Sequence, residues 1–299
     1  MTLESTNAHE SPFDPAAPLT PTGNLRRRRA ISRVAESGAT LAAALAVGVL
    51  GIVVYGVLVH GAGALSLDFF FEGAPNGIGP ALVGTAEIVT MATLLAVPLG
   101  VLVAVYLVEF GGGRIATPVR LALDVMNGYP SIIVGVFIFI LIVEATASQS
   151  AIAASVALAI IMLSIVARGT EEVLRLVPDS MREASDALGV SRWRSILTVI
   201  LPSAVGGIAT ATILAVARAA GETAPLILLT SNNPGIEVSL NPFEAVPNVP
   251  GTIYRLSEEA NPEGFARAWG AGFVLLALIM AANVGARVLL NRSRRKMAG

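Results

Sequence analysis

Long apolar runs separated by polar connectors dominate this 299-residue chain. A helix needs about 20 predominantly apolar residues to cross the roughly 30 Å hydrocarbon layer of a bilayer. Five runs are predicted to be spans on this criterion, and a sixth is shorter. In chain order the six are residues 39–59, 83–108, 131–145 (the short one), 152–167, 204–229 and 269–290. The pattern predicts an all-α integral membrane protein with six transmembrane helices.

Prolines mark local breaks in this pattern. Pro98 lies inside the second span and is expected to kink it, and Pro130 precedes the third. Residues 115–129 carry apolar side chains at helical spacing, which is typical of a helix lying partly at the membrane interface. In the fifth span, Pro225 cannot donate a hydrogen bond to the carbonyl of Gly221. We therefore expect the fifth helix to be kinked or broken there.

Composition supports the membrane assignment and excludes several chemistries. Hydrophobic residues make up 54% of the chain and charged residues 14%, and the mean hydropathy of +0.73 is too high for an ordinary soluble domain. The chain has no cysteine, so disulfides and thiolate sites are absent. His9 and His60 are its only histidines, which argues against a histidine metal centre or a hydrolytic triad.

The only lysine of the chain is Lys296, and Met297 follows it. A phosphate-binding loop of the form G-x-x-x-x-G-K-[ST] therefore cannot form. If ATP drives this protein, another chain must bind the nucleotide. We expect no cofactor in this chain.

The arginines predict the orientation of the spans, because cytoplasmic flanks collect Arg and Lys. The flanks predicted to be cytoplasmic carry the basic residues Arg26, Arg27, Arg28, Arg29, Arg33, Arg114, Arg120, Arg168, Arg175, Arg182, Arg192, Arg194, Arg287, Arg292, Arg294, Arg295 and Lys296. The alternate connectors 60–82 and 144–151 carry none, and the long connector 230–268 carries Arg255 and Arg267. Both termini are expected in the cytoplasm.

These features divide the chain into four parts. Residues 1–35 are expected to be a disordered cytoplasmic tail, because the start of the chain is rich in Pro, Ser and Thr and has no apolar periodicity. Residues 36–82 hold an uncleaved first span and its outer loop. Residues 83–290 form a core of five spans that includes a cytoplasmic connector at 170–202. Residues 291–299 form a basic cytoplasmic tail.

The connector between the fourth and fifth spans is polar and helix-forming. Pro178 suits a first helical turn, and Ser180 with Glu183 has the spacing of a capping box. A helix over residues 179–188 is predicted, and Gly189 permits the left-handed residue that ends it. A second amphipathic piece leads into the fifth span. Something soluble is expected to bind this connector, although an ordinary solvated loop is the alternative.

This connector resembles the EAA loop of bacterial and archaeal ABC-importer permeases. The likeness rests on Glu183-Ala184-Ser185 and on the spacing from there to Gly189 and to Leu201-Pro202, with Ser185 and Val199 standing where Ala and Ile are usual. It implies the type I (MetI-like) permease fold and a coupling helix that docks in a cleft of a separate ATPase. The residues that the resemblance assigns to coupling are Glu183, Ala184, Ser185, Gly189, Leu201 and Pro202.

A second candidate site lies inside the fifth span, where charged residues interrupt the apolar run. Arg218 and Glu222 are four residues apart and share a helical face, and Thr223 follows them. Charges within a span normally face a partner or a water-filled path. Arg218 therefore either binds an oxyanion, for which its planar fork is suited, or forms a structural ion pair with Glu222.

Two further residues are candidates for the translocation path. Glu87 of the second span lies at a depth comparable to that of Arg218, and we predict that the two side chains approach each other across the helix interface. Arg168, at the cytoplasmic end of the fourth span, is a candidate for the substrate exit. Anchoring at the membrane surface with local pairing is the alternative for Arg168.

Four stretches carry a more specific resemblance: residues 129–135, 168–172, 176–184 and 218–226. They resemble the PstA family, permease subunits of phosphate-specific ABC importers, and the likeness covers the chain from about residue 77 onward. It implies phosphate uptake together with a second permease PstC, two copies of the ATPase PstB and the extracytoplasmic phosphate-binding protein PstS. It also implies that this chain is non-catalytic.

Two other functions stay open on the residues alone. A permease for sulfate, molybdate or another solute would explain the docking loop and the lack of an ATP-binding loop equally well. A stand-alone secondary transporter or channel is less compatible, because it would need neither a docking loop nor a partner ATPase.

Overall fold

The computed structural model describes residues 24–74, 76–230, 237–259 and 261–297, and these residues form helices and connecting loops without a strand. The α-helices are α1 Leu25–Gly61, α2 Leu67–Phe71, α3 Gly79–Glu109, α4 Ala116–Gly128, α5 Ser131–Ile138, α6 Glu144–Thr146, α7 Ala151–Arg175, α8 Asp179–Ala187, α9 Arg192–Ser195, α10 Leu201–Ala220, α11 Ala224–Thr230, α12 Val249–Glu258 and α13 Pro262–Met297. A π-helical turn, Phe139–Val143, joins α5 to α6, and another, Ile196–Ile200, joins α9 to α10.

The chain divides into two compact units, residues 1–54 and 55–299. The described part of the first unit is helical from Leu25, whereas the predicted tail extends to residue 35. Arginine, alanine and leucine are good helix formers, and a helix propagates readily once its apolar part has formed. The predicted tail is therefore wrong for residues 25–35. The prediction of disorder for residues 1–23 falls outside the described residues.

Within the described residues, five helical stretches are long and apolar enough to cross a membrane: Leu25–Ala64, Gly79–Glu109, Ala151–Arg175, Arg192–Ala220 and Pro262–Val288. A sixth span is possible only if α4 and α5–α6 are counted together, since the two halves meet at 102°. The extended backbone at Tyr129 and Pro130 makes this bend. The short third span and the amphipathic helix before it are thus halves of one bent pair.

The core of the second unit is built where α3 packs along α7. The buried face of α3 carries small residues at nearly every fourth position, including Ala92, Ala96, Gly100 and Ala104. A Cβ on Gly100 would lie 2.8 Å from Cγ1 of Val166, so only glycine permits this approach. Small residues let membrane helices pack closely, which explains why this pair forms the centre of the fold.

The fifth span is broken, as the sequence predicts. α10 ends at Ala220 and α11 begins at Ala224 with Pro225 in its first turn. The second span, by contrast, continues as one helix through Pro98. At the other end of the fifth span, Pro202 has no N–H to donate to the carbonyl of Thr198. The N–H of Leu201 donates to the carbonyl of Ile196, five residues earlier, and this bond closes the π-helical turn.

The long connector after α11 contains loop and a short helix, as expected for its proline content. Its described part packs against the ends of the spans through backbone hydrogen bonds. The N–H of Ala151 donates to the carbonyl of Glu244 over 2.8 Å, and the N–H of Val249 donates to the Thr85 hydroxyl over 2.9 Å. These contacts fix the starts of α3 and α7 to one another.

Candidate functional site

The predicted coupling helix is present as α8, but its cap differs from the prediction. The helix begins at Asp179 with Pro178 as the capping residue, and no side chain caps it. Ser180 therefore lies within the first turn, so the capping box with Glu183 is wrong. The fixed φ of proline and an acidic first residue favour the earlier start.

The predicted turn at Gly189 is confirmed. Gly189 has φ +67, a left-handed conformation that side chains disfavour. The N–H of Val190 donates to the carbonyl of Ser185 over 3.1 Å, and the N–H of Gly189 donates to that of Asp186 over 2.9 Å. This pair of bonds is a Schellman motif, which gives the last carbonyls of α8 their partners.

α8 presents one polar face outward and one face to the protein. Glu183 and Ala184 are exposed, whereas Ser185 is buried and its hydroxyl donates to the carbonyl of Met181 over 3.0 Å. At the C-terminal end, the Leu188 side chain is 82% exposed. The exposed face therefore combines a carboxylate, a small residue and an apolar residue, a surface suited to close contact with another protein.

Arg182 fixes the inner face of α8 to the end of α3. Its Nη2 and Nε atoms donate to Oε1 of Glu109 over 3.0 and 3.1 Å, and Glu109 is 5% exposed. Arg182 also donates to the carbonyls of Val177 and Leu174, over 2.8 and 3.1 Å. A buried carboxylate needs such a partner, because an unpaired charge costs several kcal/mol.

A second arginine makes the same connection from α9. Arg192 donates to the carbonyl of Glu109, and its guanidinium carbon lies 4.8 Å from the centre of the Phe110 ring. Phe110 also stacks against Trp193, with ring centres 5.3 Å apart. Sequence reasoning missed Glu109, Arg182 and Arg192 as a group. The one available signal was an acidic residue ending an apolar run.

The last two coupling candidates lie where the connector enters the fifth span. Leu201 is the first residue of α10 and is half-buried, and Pro202 is exposed beside it. Both lie directly after the π-helical turn. They belong to the junction between the connector and the span rather than to the exposed face of α8.

Arg218 and Glu222 form the ion pair that their spacing predicts. Nη2 of Arg218 lies 3.3 Å from Oε1 of Glu222, and the two side chains are 58% and 12% exposed. Glu222 and Thr223 lie in the break between α10 and α11, where the carbonyl of Thr223 accepts the N–H of Ile227 over 3.1 Å. The guanidinium of Arg218 is thus paired with Glu222 on one side and exposed on another.

Arg218 lines a small polar cavity of about 70 Å³. The other polar side chains that line it are Asn127, Tyr129, Ser131 and Ser164. The Ser164 hydroxyl donates to Oδ1 of Asn127 over 2.8 Å, which joins α7 to the end of α4. The bend between α4 and α5 thus brings polar groups next to the broken end of α10.

Glu87 is half-buried and forms no ion pair with Arg218. Among the described residues, its Oε2 atom is buried and has no hydrogen-bond partner. The approach of Glu87 to Arg218 at longer range stays a prediction.

Arg168 belongs to a network around Glu171, which is 2% exposed. Glu171 Oε2 lies 3.0 Å from Nη1 of Arg168, and its Oε1 accepts from Nε of Arg120 and Nη2 of Arg175 over 2.9 and 2.6 Å. Arg168 also donates to Asp124 and to the carbonyl of Arg120. These contacts favour local pairing of Arg168 over an open anion site.

Comparisons with known proteins place this geometry in context. The family model described as binding-protein-dependent transport system inner membrane component matches residues 96–297. The phosphate transport system permease protein PstA 1 of Mycobacterium tuberculosis is 41% identical over 227 residues, covering 74% of this chain and 72% of that protein. The PstA protein of Haemophilus influenzae is 34% identical over 248 residues, covering 81% and 87%.

Solved structures confirm the predicted fold. A bacterial ABC transporter that imports the acidic polysaccharide alginate matches with a TM-score of 0.62 at 15% identity, covering 89% of this chain and 99% of that one. The inward-facing MetNI methionine ABC transporter matches with a TM-score of 0.58 at 18% identity, covering 72% and 96%. The chain therefore has the ABC importer permease fold.

Proposed function

This chain belongs to the binding-protein-dependent permease family and, within it, to the PstA phosphate permeases, and we propose that it carries inorganic phosphate inward under the control of a separate ATPase. The relatives are named as phosphate transport permeases, so a sulfate or molybdate permease is not favoured. The chain is the permease subunit of a phosphate importer.

The observation that carries the proposal is the attachment of an exposed helix to a membrane span. α8 offers Glu183 and Ala184 outward, and its inner face is held to Glu109 at the end of α3 by Arg182. A force applied to α8 by a docked protein would therefore pass directly into α3, and from α3 to α7, its main packing partner. A solvated loop would need no buried ion pair of this kind.

The partner that applies the force is an ATPase of the PstB type. This chain cannot build a lysine-dependent phosphate-binding loop, because Lys296 is its only lysine. Closure of the ATPase dimer on ATP would move α8, and hydrolysis would let it return. This chain and a second permease subunit would then alternate between outward-open and inward-open states by rigid-body movement of packed helices.

Membership of the same family supports two further partners in this proposal. A second permease of the PstC type would complete the path, and a PstS-type phosphate-binding protein would deliver phosphate on the outer side. Both termini and α8 lie on the cytoplasmic side in this proposal, supported by the arginines at the ends of the spans. Arg218 and Glu222 would then lie within the membrane, where a paired arginine attracts an oxyanion without holding it permanently.

The proposal is tested with the four-component system in lipid vesicles. We expect ATP-dependent uptake of phosphate that requires the binding protein, with sulfate and molybdate taken up poorly. Uptake that is equal for the three oxyanions, or that continues without the ATPase, would contradict it.

A further inference from the structure

The polar cavity beside Arg218 contains more hydrogen-bonding groups than the ion pair with Glu222 requires. Its polar lining comes from the last turn of α4, the link after it, the first residue of α5, and the helices α7 and α10. Polar residues inside a membrane protein normally pair with one another or line a water-filled path. Here only one polar side-chain pair, Ser164 with Asn127, is satisfied within the cavity.

Local backbone structure explains why these residues meet. Tyr129 and Pro130 are extended, with ψ values of 153° and 132°, so the chain turns sharply between Asn127 and Ser131. The 102° bend between α4 and α5 brings together three polar side chains, those of Asn127, Tyr129 and Ser131. In a continuous helix, Tyr129 would point away from the face that Asn127 and Ser131 share. The corner is therefore a feature of the fold that collects hydrogen-bonding groups at one point.

Each of the free groups of the cavity can donate a hydrogen bond. Within the described part of the chain, the hydroxyls of Tyr129 and Ser131 make no hydrogen bond to another side chain or backbone group. Asn127 uses its Oδ1 atom as the acceptor for Ser164, which leaves its amide N–H groups free. Arg218 has a single ion-pair contact, 3.3 Å long, and a side chain that is 58% exposed. A guanidinium, two hydroxyls and an amide N–H together suit an anion with several oxygens.

We propose that the cavity lined by Asn127, Tyr129, Ser131, Ser164 and Arg218 is a contact site for the phosphate ion on its way through this subunit. Arg218 supplies charge and two parallel donors, and Tyr129 and Ser131 donate to further oxygens. The competition of Glu222 for Arg218 keeps the site weak, so the anion can leave. This inference rests on the proposed function, because it names the residues that phosphate meets.

The absence of cysteine from the chain permits a direct test. Ser131→Cys introduces one thiol of nearly the same size at the corner, and an anionic thiosulfonate reagent labels it in the assembled complex. We expect inorganic phosphate to slow labelling at least about threefold by occupying the cavity, and equimolar sulfate to have little effect. Ser148→Cys, in the exposed loop between α6 and α7 and outside the cavity lining, is the matched control and should label at the same rate with either ion.

A second variant measures transport. Tyr129→Phe removes one hydroxyl and should lower the uptake rate by about tenfold, in line with a lost hydrogen bond to a charged group. Tyr106→Phe, in α3 and not among the residues that line the cavity, should keep the normal rate. The inference is overturned if phosphate does not slow the labelling of Ser131→Cys and Tyr129→Phe takes up phosphate at the normal rate, while the wild-type complex still transports phosphate. Failure of the wild-type complex to transport phosphate would instead refute the proposed function.

Discussion

Glu109 and Arg182 are 73 residues apart in the sequence, yet Nη2 of Arg182 lies 3.0 Å from Oε1 of Glu109. Glu109 ends a membrane span, and Arg182 lies on the helix that faces the solvent with Glu183. The ion pair therefore joins α8, whose other face is exposed, directly to the end of a membrane span. Arg192 strengthens it from a second helix.

Replacing Glu109 should loosen this connection. Glu109→Gln keeps the shape but removes the charge that holds Arg182, and breaking a buried pair costs about 3 kcal/mol. We expect the complex to assemble and to hydrolyse ATP, but with phosphate uptake reduced more than hydrolysis, measured as ATP consumed per phosphate transported. Asp179→Asn is the matched control, because Asp179 pairs with the same arginine at 3.1 Å but is 89% exposed, and exposed pairs contribute about 0–1 kcal/mol. An unchanged ratio in Glu109→Gln would show that force does not pass through this pair.

The exposed carboxylate of α8 is expected to contact the ATPase. Glu183→Lys reverses its charge without touching the buried face, so it should weaken docking and lower phosphate-stimulated ATP hydrolysis by about tenfold, the effect of roughly 1.4 kcal/mol. Glu172→Lys makes the same change at an exposed position of α7 and should leave hydrolysis near normal. Normal hydrolysis and uptake in Glu183→Lys would refute the coupling role.

The sequence predicted the helices, the turn at Gly189 and the break near Pro225 because each depends on local chemistry. Apolar run length, the missing N–H of proline and the left-handed freedom of glycine act within a few residues. The cap of α8 was mispredicted because two local signals compete there, and Pro178 with Asp179 prevails over Ser180. The 102° bend at Tyr129 and Pro130 was recognised only as a break before a short span.

Contacts distant in sequence were not predictable in the same way. The pairing of Glu109 with Arg182 depends on where the end of α3 lies relative to α8, and a single sequence contains no measure of that distance. The same holds for the cavity beside Arg218, whose polar residues come from four separate elements. For Arg168, local pairing is one of the two expectations from the sequence, but two of its partners, Arg120 and Asp124, come from a different helix.

The turn that ends α8 should be sensitive to a side chain. Gly189 has φ +67, and an alanine there costs about 1–2 kcal/mol. Gly189→Ala should fray the end of α8 and speed proteolysis of the connector, and Gly189→Asn should be milder because asparagine tolerates this conformation better. Gly112→Ala is the control, since a Cβ there would meet nothing within 4 Å. Equal proteolysis of Gly189→Ala and Gly112→Ala would argue that the left-handed residue does not hold the connector.

Arg218 should be required for transport but not for folding. Its side chain is 58% exposed, its ion pair with the 12% exposed Glu222 is 3.3 Å long, and glutamine can still donate a hydrogen bond to that carboxylate, so Arg218→Gln should change the thermal midpoint of the complex little. The uptake rate should fall by at least about tenfold, because a charged donor to the anion is lost. A large fall in the midpoint with Arg218→Gln would assign the residue to a structural pair with Glu222.

The arginines around Glu171 should show the opposite behaviour. Glu171 is 2% exposed and joins Arg120, Arg168 and Arg175, so Glu171→Gln leaves three cations around an uncharged amide. A loss of about 3 kcal/mol, appearing as a lower thermal midpoint, is expected because the buried partner of several charges has gone. Glu172→Gln, the exposed neighbour, should leave the midpoint unchanged. If Glu171→Gln keeps the normal thermal midpoint but abolishes uptake, Arg168 and Glu171 act on the substrate rather than on the fold. Loss of a contact that only stabilises the fold would instead lower the midpoint.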